Sequence, residues 1–361
     1  AAFHFEGAGM LAEVEKGEDE MDVVMAALHL ASEDDAIKTR THIPLPVDSF
    51  SKRLDGLVVE CGMRVLPDHS QEEQLSLVLG HLYSTWGMKI ATEMYEGSFS
   101  PYRVYMQNVL SQKCGTQASA AAVVHSLLKR LHNTGRLNFR AKVAVPVDPT
   151  GLPVAAPPGK APVTPQLAPG TNVRPAVPTA SLGDTATTSS SGSSSSSSSS
   201  SSHSSSSEAV QWASGPQLLV AMLDQLKRFY WSWYWPVESE SGFEECARVL
   251  LTDDRAGKVN PAVGVITRTG RPFGDVGLSL LACERLVQVL GRTDPYSWQH
   301  AMQMRDYGTL LLHVGQVEEG KELLSRYMDW LQAGGDKQAG VANAHGLLVQ
   351  QLLERQQPVS S

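Results

Sequence analysis

From Ser189 to Ser207 every residue is serine except Gly192 and His203, and the stretch before it, 146–188, is dense in Pro, Ala, Val and Thr. Neither part can bury enough apolar surface to offset the entropy of ordering it. Residues 146–214 are therefore expected to be a disordered Pro/Ala/Ser-rich insertion with no regular structure. Of the 361 residues, roughly 290 are left to build one large core or two modest ones. No apolar run approaches the ~18 residues of a membrane helix, so no integral membrane segment is expected. The net charge of −8 argues against a nucleic-acid partner, which would favour a basic chain.

Before the insertion the pattern is helical. The first 20 residues are small and acidic, from Glu13 to Glu20, and read as a solvated tail. Residues 1–30 are this tail and the start of a helix through Val24, Ala27, Leu28 and Ala31, expected to fail near Ser32–Asp35. Pro46 sits where a helix can begin. Leu54, Leu57, Val58 and Cys61 then share one face. Ser70 and Glu73 form a capping box ahead of Leu75, Val78 and Leu79. Gln117–His132 reads as a long helix whose small residues, Ala118 and Ala120–Ala122, allow close approach by neighbours. At Gly135 the period changes: Leu137, Phe139, Ala141, Val143 and Val145 alternate with polar residues, the clearest strand signal in the chain.

Order is expected to return at Gly215, in a helix ending at the aromatic run Phe229–Trp235. That run reads as a core plug or, alternatively, as a partner or membrane-surface anchor. Four helical segments follow Asp275, broken near Gly291–Pro295, Val314–Gln316 and Gly334–Asp336. Gly274–Val276 with Leu280, Leu281 and Leu286 resembles Gly315–Val317 with Leu323, Leu324 and Tyr327, offset by about 41 residues. Gly308, Gly315 and Gly320 mark small positions between paired helices, as in tetratricopeptide repeats.

The chemistry-bearing residues form no strong constellation. Cys61, Cys114, Cys246 and Cys283 have no metal-ligand spacing and read as reduced, mostly buried thiols. His300, His313 and His345 lack ligand spacing too, so no metal is expected. Gly270–Gly274 lacks the phosphate-loop pattern, and no cofactor is expected. Lys129, Arg130, Arg136, Arg140 and Lys142 form a basic cluster that reads first as a solvated face. The chain begins at Ala1, so a targeting segment need not be visible.

Three groups of residues carry a resemblance. Ala31-Ser32-Glu33-Asp34-Asp35-Ala36 with Pro44-Leu45-Pro46-Val47 and Arg53-Leu54-Asp55 resembles the opening of SirB1-type transglutaminase-like proteins, their plant and algal branch above all. Tyr105–Gly115 and the helix after it are similar to that family's central segment. Cys283-Glu284-Arg285-Leu286 and Met304-Arg305-Asp306-Tyr307-Gly308 are similar to its tetratricopeptide-like part. The resemblance implies a mainly α (α+β) fold: a degenerate transglutaminase/papain-like core over 31–145, a helical continuation over 215–255, and tetratricopeptide-like hairpins over 256–361. It also implies a chloroplast or cytoplasmic, reducing location.

Active members of the wider superfamily use a Cys–His–Asp triad, with the Cys two residues after a Gly at the start of the central helix, where the helix dipole favours the thiolate. Here Gly115-Thr116-Gln117 puts Gln117 in that place. A Gln is no nucleophile, though it could act as an oxyanion donor. Leu137–Val145 offers no His, and His125 and His132 sit on the central helix itself. The expected function is therefore a non-catalytic protein-interaction or scaffold role with an unidentified protein partner. Met304, Tyr307, Leu311, Tyr327 and Trp330 are the expected partner-binding residues. The alternative is a papain-like thiol hydrolase or acyltransferase using Cys114, which immediately precedes Gly115.

Overall fold

A computed structural model describes residues 8–39, 44–91, 100–148, 150–163, 165, 210–231, 241–252, 275–334 and 339–355. These residues are mainly helical. The chain starts with α1 (Ala8–Glu15) and α2 (Val23–Thr39). The expectation of a solvated N-terminal tail is corrected here, because Met10 and Val14 are buried in the core. The two helices touch where Gly9 faces the ring of His29: a Cβ on Gly9 would stand 2.6 Å from His29 Nδ1. The expected break of α2 at Ser32–Asp35 is also corrected. The helix runs through Glu33 and Asp34, both buried, because a cation from another part of the chain neutralises them there.

Next come α3 (Val47–Gly62) and α4 (Gln71–Gly80). Leu54, Leu57, Val58 and Cys61 form the buried face of α3, at the spacing the sequence shows. In α4 the Ser70–Glu73 capping box is closed in both directions. A π-helical turn, His81–Thr85, leads to β1 (Lys89–Ile90), which pairs in parallel with β2 (Cys114–Gly115). Between these strands lies α5 (Met106–Gln112). The helix α6 (Gln117–Asn133) packs against α2, α3, α5, β1 and β2. Its Ala120, Ala121, Ala122, Val123, Val124 and Leu127 are sealed from solvent. Small side chains at these positions let several neighbours reach one helix.

The alternating segment forms β3 (Lys142–Pro146), shorter than the alternation suggests. It is the centre of a three-stranded antiparallel sheet. On one side Val143 pairs with Ala155 of β4 (Val154–Ala156), and on the other Val143 pairs with Ala213 of β5 (Val210–Ala213). The expectation that 146–214 lacks regular structure is thus corrected at both ends. A lone strand is not stable, and β3 takes its partners from the flanks of the insertion. The Ser run lies outside the described residues.

After β5 come α7 (Gly215–Tyr230), α8 (Ser241–Thr252), α9 (Val276–Thr293), α10 (Trp298–Val314), α11 (Val317–Gln332) and α12 (Ala339–Arg355). Two apolar cores result. The first holds α1–α7 and the Leu278, Ala282, Leu286 and Val289 face of α9. The second holds Trp231, Phe243, Cys246, Cys283 and the inner faces of α10–α12. The expected boundary at 255 is therefore corrected: α7 belongs to the first core and α8 to the second. Phe229–Trp231 pack into these cores, as a plug would; Ser232–Trp235 lie outside the described residues. Within the second core Gly308 and Gly320 face each other. A Cβ on Gly320 would stand 2.9 Å from the Gly308 carbonyl, and one on Gly308 3.0 Å from the Gly320 carbonyl. Only glycine permits α10 and α11 to approach that closely. The turn between them needs Gly315 at φ 87°, a left-handed conformation that glycine adopts without strain.

Candidate functional site

The start of α6 is where the resemblance places a nucleophile, and the local geometry follows from its small residues. Thr116 is the N-cap; its hydroxyl accepts from the Ser119 amide at 3.2 Å. A Cβ at Gly115 would collide with the Ser119 hydroxyl and the Val109 methyls. Ser119 Oγ, with one proton to donate, lies 3.0 Å from the carbonyls of both Arg103 and Thr116. Gln117 is the first residue of the helix. Its Nε2 lies 3.1, 2.8 and 3.0 Å from the carbonyls of Pro146, Asp148 and Gly151. An amide nitrogen has two protons, so three carbonyls consume its whole donor capacity. The oxyanion-donor role suggested for Gln117 is thereby corrected: its protons hold the turn between β3 and β4.

Cys114 lies one strand position before Gly115, opposite Lys89 and partly accessible. Cys61, Cys246 and Cys283 are buried, and burial pushes Cys61 up to about 12 and raises Cys283 as well. None of the four is in a disulfide. His132 is tied through Nδ1 to the Leu137 carbonyl at 3.1 Å. His125 is held down to about 4, first by burial and then by Lys129, so it is neutral at pH 7. Among the described residues no group of three His, Cys, Asp or Glu side chains is arranged to hold a metal ion.

The expected partner face on the C-terminal helices divides. Met304, Leu311 and Tyr327 are 5%, 2% and 0% exposed. They fill the space around α10, so their assignment as partner contacts is corrected: the helical periodicity that marked them is the periodicity of a core face. Tyr307 and Trp330 keep part of their surface. Trp330 pairs with Trp298 at a centroid distance of 5.6 Å, and its Nε1 donates to the Tyr296 carbonyl at 3.2 Å. Tyr296 itself is 86% exposed. Sequence inspection missed this aromatic cluster because Tyr296 and Trp298 lie at a helix boundary, 32 or more residues before Trp330.

Several charged residues of α2, α7, α9 and α10 meet in buried polar networks. Arg285 of α9 donates to Asp34 at 2.5 Å and to Glu33 at 2.8 Å, both on α2. The Tyr105 hydroxyl donates to Asp34 at 2.5 Å and lies 3.0 Å from that of Tyr230. Lys38 Nζ reaches both hydroxyls, at 3.1 and 2.7 Å. Burial raises Glu33 despite the Arg285 guanidinium, and burial lowers Lys38 despite Asp34. A second network lies in the C-terminal core. Lys227 donates to Asp306 at 3.0 Å and to Gln303 at 2.7 Å, while Arg305 spans Asp306, His345 and the face of Phe243. Burial opposes both charges, yet Arg305 and Lys227 hold Asp306 below the usual carboxylate range.

The chain matches no protein-family model, no curated protein and no solved structure.

Proposed function

We propose that this chain is a non-catalytic interaction protein: a degenerate transglutaminase-like core, without a working triad, that presents tetratricopeptide-like helical hairpins to a protein partner. One observation carries the reading. The side chain in the nucleophile's place, Gln117, spends its amide protons on three backbone carbonyls. A residue bound in that way acts as a joint between α6 and the β3–β4 turn. The glycine contact of α10 and α11 and the offset of about 41 residues between α9 and α11 support hairpins of the tetratricopeptide kind. The accessible aromatic cluster of Tyr296, Trp298 and Trp330 supports placing the contact surface at the start of α10 and the end of α11, since half-exposed Trp and Tyr suit partner binding. A chloroplast or cytoplasmic location remains part of the same proposal; among the described residues no helix is long and apolar enough to cross a membrane.

The test is affinity capture with tagged full-length chain, comparing the unaltered protein with Cys114→Ser and Trp330→Glu. The interaction reading expects the same partners with Cys114→Ser and their loss with Trp330→Glu, both variants retaining cooperative unfolding. Capture that depends on Cys114 and is indifferent to Trp330 would support a thiol enzyme instead.

A further inference from the structure

A cleft of about 480 Å³ lies away from both the α6 N-terminus and the aromatic cluster. One wall is a stripe of α6 formed by His125, Leu128, Lys129 and His132. These are spaced i, i+3, i+4 and i+7, so they share one face of the helix. The opposite wall is the β3–β5 ladder. Ala144 pairs with Trp212, and Lys142 stands two residues before Ala144. Antiparallel partners share a face, and so do residues two apart, so Lys142 and Trp212 project from the same side; Val143 and Ala213 are on the other side, packed on the first core, and residues of both sides line the cleft. The end wall is the first turn of α7, with Ser214 and Gln217, and the rim carries Glu18 and Asp19.

We propose that this cleft binds a small phosphomonoester carrying a planar ring, with the phosphate between Lys129 and Lys142 and the ring against Trp212. The Lys142 side chain makes no ion pair or hydrogen bond among the described residues. Lys129 spends one of its three ammonium protons on the Met21 carbonyl, at 2.9 Å. Arg140 pairs with Asp19 at 3.0 Å, but the two side chains are 66% and 81% exposed. An exposed pair of this kind contributes little and can exchange for a better anion. His125 lies in the same wall, with its Nδ1 buried and without a hydrogen-bond partner among the described residues. Trp212 is 44% exposed, a flat aromatic surface beside the cations.

The charge balance selects among anions. Lys129, Arg140 and Lys142 oppose Glu18 and Asp19, so the lining is only weakly positive. Asp22, Glu13 and Glu20 also act on Lys129, so a single phosphate sits best towards Lys142. A polyphosphate or nucleic-acid backbone would extend across Glu18 and Asp19 and be repelled. The basic cluster that the sequence presents as one group is also divided. Arg130 leaves it for Asp22 and Asp55, at 2.7 and 2.5 Å, and the Arg136 side-chain stem lies against Gly62. Only the three remaining cations converge.

The test is isothermal titration of the full chain with adenosine 5′-monophosphate, inorganic phosphate and adenosine, at low salt. The monophosphate should bind about tenfold tighter than either part alone, since ring stacking and charge contribute separately. Lys142→Gln should weaken the monophosphate and inorganic phosphate about tenfold and leave adenosine unchanged. Trp212→Leu should reduce the monophosphate to the affinity of inorganic phosphate. Circular dichroism should show both variants folded; Lys142 is exposed and Trp212 half-exposed, so neither is needed for the core. No heat with any probe up to about 10 mM, well beyond the range of a specific small-ligand site, would overturn the proposal. So would a monophosphate that binds no tighter than inorganic phosphate, or binding that neither substitution changes.

Discussion

Gln117 is worth more to the fold than a surface amide would be, because it satisfies three carbonyls of one turn. Gln117→Ala should cost about 1–3 kcal/mol, the range for leaving part-buried acceptors unmet. Hydrogen exchange should quicken over Lys142–Ala156 and change little in α10–α12. Gly320 is the second position where one atom decides. Gly320→Ala puts a Cβ 2.9 Å from the Gly308 carbonyl, and a backbone oxygen cannot move aside cheaply. Overpacking of this sort costs about 1–3 kcal/mol, to be read from the urea midpoint. His125 offers a titration test. Its folded value near 4 lies below its ordinary 6.5, so the folded state binds fewer protons than the unfolded chain in that interval. Its contribution is complete above pH 6.5 and is lost as pH falls towards 4, amounting to about 2–3 kcal/mol. Asp22 extends the loss below pH 4: burial raises it, but Arg130 and Ser126 bring it below its ordinary value. Glu33 has the opposite sign, since its raised value favours folding in acid. The comparison must therefore be with a variant. Urea unfolding from pH 7 to 4 should lose less stability in His125→Gln than in the unaltered protein.

At the scale of elements, the contact between α2 and α9 links the two halves. Arg285 serves two buried carboxylates at once, so removing it leaves Glu33 and Asp34 buried without their cation. Arg285→Met should destabilise the protein by about 3–5 kcal/mol, the cost of breaking a buried pair from one side. Arg285→Met combined with Glu33→Gln and Asp34→Asn should recover part of it. This network is also where sequence reading fails for a clear reason. Glu33, Asp34 and Arg285 are visible in the sequence as charged residues, but nothing local reports that they touch across some 250 positions. A charged pair in a helix looks like a solvated end, which is why α2 is expected to stop where it continues. Elements set by local rules are legible: the α4 capping box, the apolar face of α3, the extent of α6, and the glycine approach of α10 to α11. The strand β3 is visible through its alternation. Its partners are not, because β4 and β5 are three- and four-residue segments inside a stretch whose composition argues against structure. The cleft follows the same logic. Its cations are apparent in the sequence, but the cleft they line depends on β5 pairing with β3 at the end of the insertion.

At the scale of the molecule, the insertion is flanked by strands that must pair. Deleting all of 146–214 removes β4 and β5 and should abolish cooperative unfolding. Deleting only Ser189–Ser207 should shift the melting temperature by no more than a few degrees, since closure entropy varies slowly with loop length. A fragment ending at residue 145 lacks β5, α7 and α9, which complete the first core, and should aggregate on expression. The reactivity of Cys114 tests the proposal that the start of α6 is a joint and not a catalytic centre. Cys114 should be alkylated by iodoacetamide ahead of the other three cysteines simply because those are buried. Preference alone therefore says nothing about catalysis, and the pH dependence of the rate decides. Mass spectrometry of the full chain between pH 6 and 9 should show slow labelling of Cys114 at pH 6 that rises steadily with pH, as for an unactivated thiol. Labelling already rapid and level at pH 6 would mark an activated nucleophile and a catalytic centre at the start of α6.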